Sequence, residues 1–424
     1  MPTPHLPDNP KDRMAIYAFL DGISAEARRG LEEGRTRVPL VKSFLLEHVA
    51  HGNGHAPKPP QVLLERLGLR VRPIDESFFE VQDRIEADAT GAERIAPVGY
   101  LEPYDSRFFA YYTTELSVDA QRRVRRWIGS SPDLDSAWFT SQLLQSLWER
   151  VASHRASSRY TRLVFSHESI FDLPSNAEDG GHPAEEGDDN RDEETPSREH
   201  RNARFVMGDR VGPIKDVLKR LQDAYNPLNA LYSLRIPSAN RRGGHDVFQG
   251  GQVTCRSDSF EDHRNTVRSL YKTYKGVLDV TERRAWSESE AHPQRAGRTA
   301  ESRGVPLIVR FEGEKLSPQT FDRWISLAFQ KRNVFRLWGN PIRLGPTKVH
   351  VYGADRHLWQ PLQLELTESG LVALLPLGTC GNTFHRLVAN IQRYVCPKIQ
   401  AWLGGTPFSD LTTLPKARAR DDAN

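Results

Sequence analysis

Hydrophobic positions recur at three- and four-residue intervals over 13–33 and again over 38–51, a spacing that predicts two helices. A breaker stretch covers 52–60, and a short helix over 61–67 ends at Gly68. The period then drops to two. Residues 70–74 read as a strand, and 95–101 and 107–113 read as paired strands around the turn Pro103-Tyr104-Asp105-Ser106. Ser117 is placed to cap a helix running to 128. Asp135 or Ser136 is placed to cap another running to 152, and 159–166 is a strand. Phe108, Phe109, Tyr111, Tyr112, Trp127, Trp138 and Trp148 supply enough aromatic bulk for a core.

Further along, a helix is expected over 213–225 and a strand over 228–236. The stretch 247–256 reads as a strand broken at Gly250-Gly251 into a hairpin or a bulge. Asp258 stands as an N-cap with Glu261 three residues on, and helical spacing follows over 259–275. Phe260, Val267, Leu270, Tyr271 and Tyr274 lie on one face of that helix. A strand at 305–311 precedes a helix that opens at Ser317-Pro318 and runs to 331. From 335 to 375 the period is two, with strands expected at 334–338, 348–352, 359–366 and 371–375. Asn382 or Thr383 caps a last helix ending at 395.

This order of elements is α+β, in two domains with length enough for a third. A helix-rich N-terminal domain is expected over 1–171. A mixed domain over 201–405 carries an antiparallel meander and a closing helix, and a loose tail covers 406–424. The intervening stretch 172–200 holds 11 acids against two arginines, contains almost no apolar residue, and reads as a disordered linker. Residues 287–303 read as a second loop.

Charge sharpens that division. The net charge is only +3, but 201–345 holds 26 Lys and Arg against 15 Asp and Glu. No apolar run approaches the ~20 residues of a membrane helix, and the first residues show no signal or transit pattern. Three cysteines are too few for a disulfide framework. A reduced, cytoplasmic protein without a membrane partner is the expectation.

The chemistry suggested by these residues is of two kinds. On the 259–275 helix, Arg264, Arg268, Lys272 and Lys275 form a basic stripe beside the apolar one. Arg241 and Arg242 precede it, and Arg332 and Arg336 lie among aromatics in 329–338. Basic side chains interleaved with aromatics suit a nucleic-acid surface, contacting phosphate through the 201–345 region of DNA or RNA. The plainer alternative is a helix face that pairs with acids elsewhere. A protein partner within a larger assembly is the other binding reading.

The second kind is catalytic. Leu377-Gly378-Thr379-Cys380-Gly381-Asn382 sets a cysteine just before a helix, where the dipole favours thiolate. His350 lies on a strand upstream, with Asp355 and His357 nearby. A strand histidine ahead of a helix-start cysteine resembles, in order only and over 348–394, circularly permuted papain-like hydrolases. The resemblance implies Cys380 as nucleophile and His350 as base. No metal or other cofactor is assigned by the sequence. His245 and Asp246, after a Gly-Gly turn, come nearest to a metal pair. Glu261 is used as a cap, while Asp262 and His263 are helix neighbours that point in different directions. No phosphate loop, dinucleotide fingerprint, HExxH or nucleophile elbow is present.

Overall fold

The computed structural model describes residues 6–7, 10–35, 38–49, 59–86, 93–153, 158–173, 202–238, 242–291, 300–313, 315–329 and 333–412. The fold is α+β, with two largely antiparallel sheets and helices packed on them. The first sheet orders its strands Arg70–Asp75, Phe78–Glu86, Glu93–Pro103, Phe108–Thr113, Lys42–His48, Gln252–Cys255, Gly244–Phe248, Leu231–Pro237, Tyr160–His167 and Ala203–Arg210. A short strand, Leu134–Ser136, also pairs with Lys42–His48. The second sheet contains the expected meander, its first strand displaced from 334–338 to Leu337–Gly345 and followed by Lys348–Asp355, Gln360–Thr367 and Gly370–Pro376. It continues through Leu307–Phe311, Ile399–Leu403 and Thr406–Pro407.

The helix Phe260–Ala285 carries the chain from one sheet to the other. At 26 residues it is about 39 Å long. Ser259, not Asp258, caps it by accepting from the Asp262 backbone N–H. The closing helix Asn382–Tyr394 is as expected from its period, but every one of its residues is buried, polar ones included.

One continuous core joins Leu45, Leu163 and Val247 in the first sheet to Val309, Val349 and Leu371 in the second. Four strands of the first sheet come from 203–255, after the acidic stretch, and Ala203–Arg210 pairs along the length of Tyr160–His167. The change of sheet therefore falls along the 260–285 helix and does not coincide with the division expected at 172–200. Residues 174–201 lie outside the described ones.

Several elements differ from expectation for identifiable reasons. The 38–51 segment is the strand Lys42–His48, buried at every position. A strand covered on both faces need not alternate, and here polar Lys42, Ser43, Glu47 and His48 are buried alongside Phe44, Leu45 and Leu46, so its period does not separate it from a helix. Asp135 and Ser136 belong to a strand, and the following helix starts at Ser141. Part of the polar stretch at 287–303 forms strands Trp286–Ala291 and Ala300–Arg303. The expected loose tail is ordered to Thr412, with Phe408 and Leu411 buried; its basic end at 416–420 lies outside the described residues. Among the described residues no helix is long and apolar enough to cross a membrane.

Candidate functional site

The buried closing helix determines what lies at the centre. Its polar side chains are shut away from water, so each needs a partner. Arg386 is fully buried and donates to Asp135, to Asp355 and to the Phe335 carbonyl. Thr383 donates to Asp355, and Asn382 joins the Ser136 carbonyl to the Tyr274 hydroxyl. The strands supply the acids in register: Glu47 stands opposite Asp135 on one side and Phe108 on the other. Arg107, one residue before that phenylalanine, binds Glu47 at 2.5 Å and Glu282 through two bonds. The result is an ionic core between the sheets. Burial pushes the Asp135 carboxyl up, but Arg386 and Arg336 outweigh it and hold the group below the usual carboxylate range.

Cys380 sits inside this core. Its sulfur lies 3.3 and 3.4 Å from the Glu47 oxygens and 3.3 Å from Arg107 Nη2. Burial, reinforced by the Glu47 charge, pushes its thiol far up. This is the reverse of the activation expected from the helix start, because only 3% of the residue is exposed. His350 is not brought to it: that side chain is partly exposed and pairs with Glu365 at 2.5 Å on the next strand. The histidine beside Cys380 is His357, which together with Glu47 forms a trio of donor atoms within 4.8 Å of one another. His357 donates from Nδ1 to the Pro132 carbonyl at 2.9 Å, and burial lowers its pKa to about 4.

The basic stripe is likewise engaged inside the molecule. Arg264 and Arg268 both bind the buried carboxylate of Glu102, and Lys275 binds Asp105. The plainer reading of that stripe, a face paired with acids elsewhere, describes three of its four residues. Lys272 is exposed. Arg242 is exposed and 3.9 Å from Glu32. Arg241 and Arg332 lie outside the described residues. Asp246 is held by Arg235 and Arg256, which withdraws it from metal ligation. His245 faces a different group of donors.

Arg336 leads to a cleft. It donates to the Leu134 and Ile128 carbonyls and pairs with Asp135 at 3.1 Å. Beside it opens a cavity of about 190 Å³ lined by four arginines (Arg125, Arg336, Arg356, Arg393), by Trp138 and Trp359, and by a single acid, Asp135. The Arg393 guanidinium is stacked on Tyr232 and Tyr394 at 4.5 and 5.0 Å. Trp359 is half exposed. Among the described residues, three non-glycines have positive φ: Arg336 (54°), Leu358 (63°) and Trp359 (50°). All three lie at or next to this cleft. Such backbone costs of order 1–3 kcal/mol per residue and is retained where the surroundings enforce it, often at binding sites. On the adjoining face of the meander Trp338, Ile342, Leu344 and Tyr352 are exposed, with Trp338 opposite Ala354 and Asn340 opposite Tyr352.

Sequence reasoning named Arg336 but missed Arg356, Trp359 and Arg393. Arg386 and Arg393 fall on what a single sequence presents as the solvent face of an amphipathic helix. No local pattern in the sequence reveals that a second layer covers that face.

A family model described as "MJECL33-like protein" matches residues 207–407. That span includes Arg336, His357, Cys380 and Arg386, and excludes Glu47, Arg107 and Asp135. The chain is also similar to a Methanocaldococcus jannaschii protein described as "Uncharacterized protein MJECL33". The two are 21% identical over 404 residues, covering 90% of this chain and 91% of the relative. No solved structure matches.

Proposed function

We propose that this protein binds a single strand of nucleic acid, with one nucleotide held in the cleft between Arg336, Arg356, Arg393 and Trp359. The observation that carries this reading is the lining of the cleft: four arginines and two tryptophans against one aspartate. Guanidinium groups suit phosphate, and tryptophan offers a face on which any base can stack. The exposed Trp338 and Tyr352 extend the aromatic surface along the neighbouring hairpin. The phosphate contacts move from the central helix, whose arginines hold Glu102, to the cleft. The cysteine-hydrolase reading draws no support from this geometry, because Cys380 is buried against Glu47 and apart from His350.

Fluorescence anisotropy with short labelled DNA and RNA strands tests the proposal. Binding is expected to weaken steeply between roughly 50 and 200 mM salt. Trp359→Ala is expected to cost about 1–3 kcal/mol of affinity. Arg356→Ala is expected to reduce the salt slope by about one. Absence of binding at low salt, or binding unaffected by both substitutions, overturns it. A protein that instead self-associates through Trp338, Ile342, Leu344 and Tyr352 and binds no strand would make that face an assembly interface.

A further inference from the structure

The hairpin formed by Gly244–Phe248 and Gln252–Cys255 sets His245 directly opposite Cys255. The first turn of the central helix brings Asp262 and His263 against them. One ring nitrogen of each histidine and the Cys255 sulfur lie within 4.8 Å of one another, all in buried residues. Asp262 Oδ2 is 3.5 Å from His245 Nε2, and the two imidazoles stack at 5.3 Å.

The protons here can be assigned from the neighbours. Thr266 gives its hydroxyl proton to the Asp262 carbonyl at 3.0 Å, so at 3.3 Å from His245 Nδ1 it accepts. His245 therefore carries its proton on Nδ1 and presents a lone pair at Nε2. Ser43 Oγ lies 3.1 Å from His263 Nε2 and 3.4 Å from the Val253 carbonyl, and with its proton directed to that carbonyl it accepts from Nε2. His263 therefore presents a lone pair at Nδ1. His245 Nε2, His263 Nδ1 and Asp262 Oδ2 all lack a hydrogen-bond partner. The Cys255 thiol has its own acceptor, the Ser257 carbonyl at 3.5 Å. Two imidazole nitrogens and the Cys255 sulfur are gathered within 4.8 Å of one another, with the Asp262 oxygen 3.5 Å from His245 beside them, and the unpartnered acceptors among them are costly unless a cation completes the group.

We propose that His245, Cys255, Asp262 and His263 form a structural zinc site. Nitrogen, sulfur and carboxylate oxygen are zinc's usual donors, and four protein ligands make a closed tetrahedral site. Thiolate and carboxylate together neutralise a dication, which suits burial. Thr266 and Ser43 fix the ring tautomers from behind, as outer-shell partners of metal-bound histidines do. Burial keeps both imidazoles neutral, with His245 lowered to about 4. Tetrahedral zinc with ordinary bond lengths spaces its donors about 3.3–3.8 Å apart, so ligation draws the His245, Cys255 and His263 trio in by about an ångström, and the Asp262 carboxylate swings in from beside His245 as the fourth ligand. Asp262 and His263 are helix neighbours some 100° apart, and both reach the ion because it lies beside the first turn. The other trio, Glu47, His357 and Cys380, is a poorer home for a cation, because the Arg107 guanidinium already contacts both Glu47 and Cys380.

The test is the metal content of the purified full-length chain after incubation with zinc and desalting. About one zinc per chain is expected. It should be lost in Cys255→Ala with His263→Asn and kept in Cys380→Ala with His357→Gln. Cobalt added to the wild-type protein is expected to give the visible bands of a tetrahedral thiolate complex, a readout that does not depend on any variant folding. Wild-type protein that takes up neither metal overturns the proposal. So does zinc that persists without Cys255 and His263, or that disappears with Cys380 and His357 instead.

Discussion

At the scale of single residues, the ionic core behaves as a unit in which each charge is tolerable only because of its neighbours. Arg386 is fully buried and joins Asp135 to Asp355. Arg386→Met keeps most of the volume but leaves two buried carboxylates short of a partner. A loss of about 3–5 kcal/mol in denaturant unfolding is expected. His385 tests burial of an imidazole in the same helix. It donates to Thr281 at 3.1 Å, and burial pushes its pKa down to about 3. In the unfolded chain the group takes up its proton near pH ~6.5. Its contribution to stability is thus complete above that pH and is lost as pH falls toward about 3, at up to ~1.4 kcal/mol per pH unit. His385→Gln retains the bond to Thr281 and cannot be protonated. Urea midpoints followed from about pH 7 to about pH 5 should therefore fall less steeply in that variant, and equal slopes would refute the assignment.

At the scale of elements, the central helix separates two roles for basic side chains that look alike in sequence. Its stripe of Arg264, Arg268 and Lys275 is bound to Glu102 and Asp105; in the cleft Arg336 and Arg393 are also paired, with Asp135 and Glu168, but they line an opening together with Arg356 and Trp359. Arg264→Ala with Arg268→Ala is expected to cost about 3–5 kcal/mol, because Glu102 is left buried and short of charge. Affinity for a nucleic-acid strand, measured on the folded fraction, should not change. The same comparison shows how far the sequence could be read. The meander and the closing helix follow from period, and the Ser317-Pro318 helix start from cap chemistry; the closing helix has neither expected cap, since Asn382 and Thr383 lie inside it after Gly381. Lys42–His48 does not, because a doubly covered strand loses the alternation that would mark it. Arg386 and Arg393 sit at polar helix positions whose covering layer comes from strands far away in the chain, so local spacing carries no trace of it. The zinc ligands were in view as a group of histidines and acids. Cys255 was missed because it joins His245 only through hairpin register.

At the scale of the whole molecule, the two sheets share one core, and the first sheet is built from both sides of the acidic stretch. Tyr160–His167 pairs on one side with Ala203–Arg210 and on the other with Leu231–Pro237. A chain cut after residue 171 would leave that strand unpaired on both sides. It would also strip Lys42–His48 of its neighbour Gln252–Cys255 and expose Leu45 and Phe165, both now buried. Neither 1–171 nor 202–424 alone is therefore expected to show the near-ultraviolet circular dichroism of a packed core. The two expressed together should recover it, because every interstrand bond across the cut can re-form. Heating the intact chain should give a single cooperative transition, since apolar contacts run without a break from the first sheet to the second. Two well-separated transitions, or a folded 1–171 fragment, would mean that the shared core contributes little and that each sheet region is stable by itself.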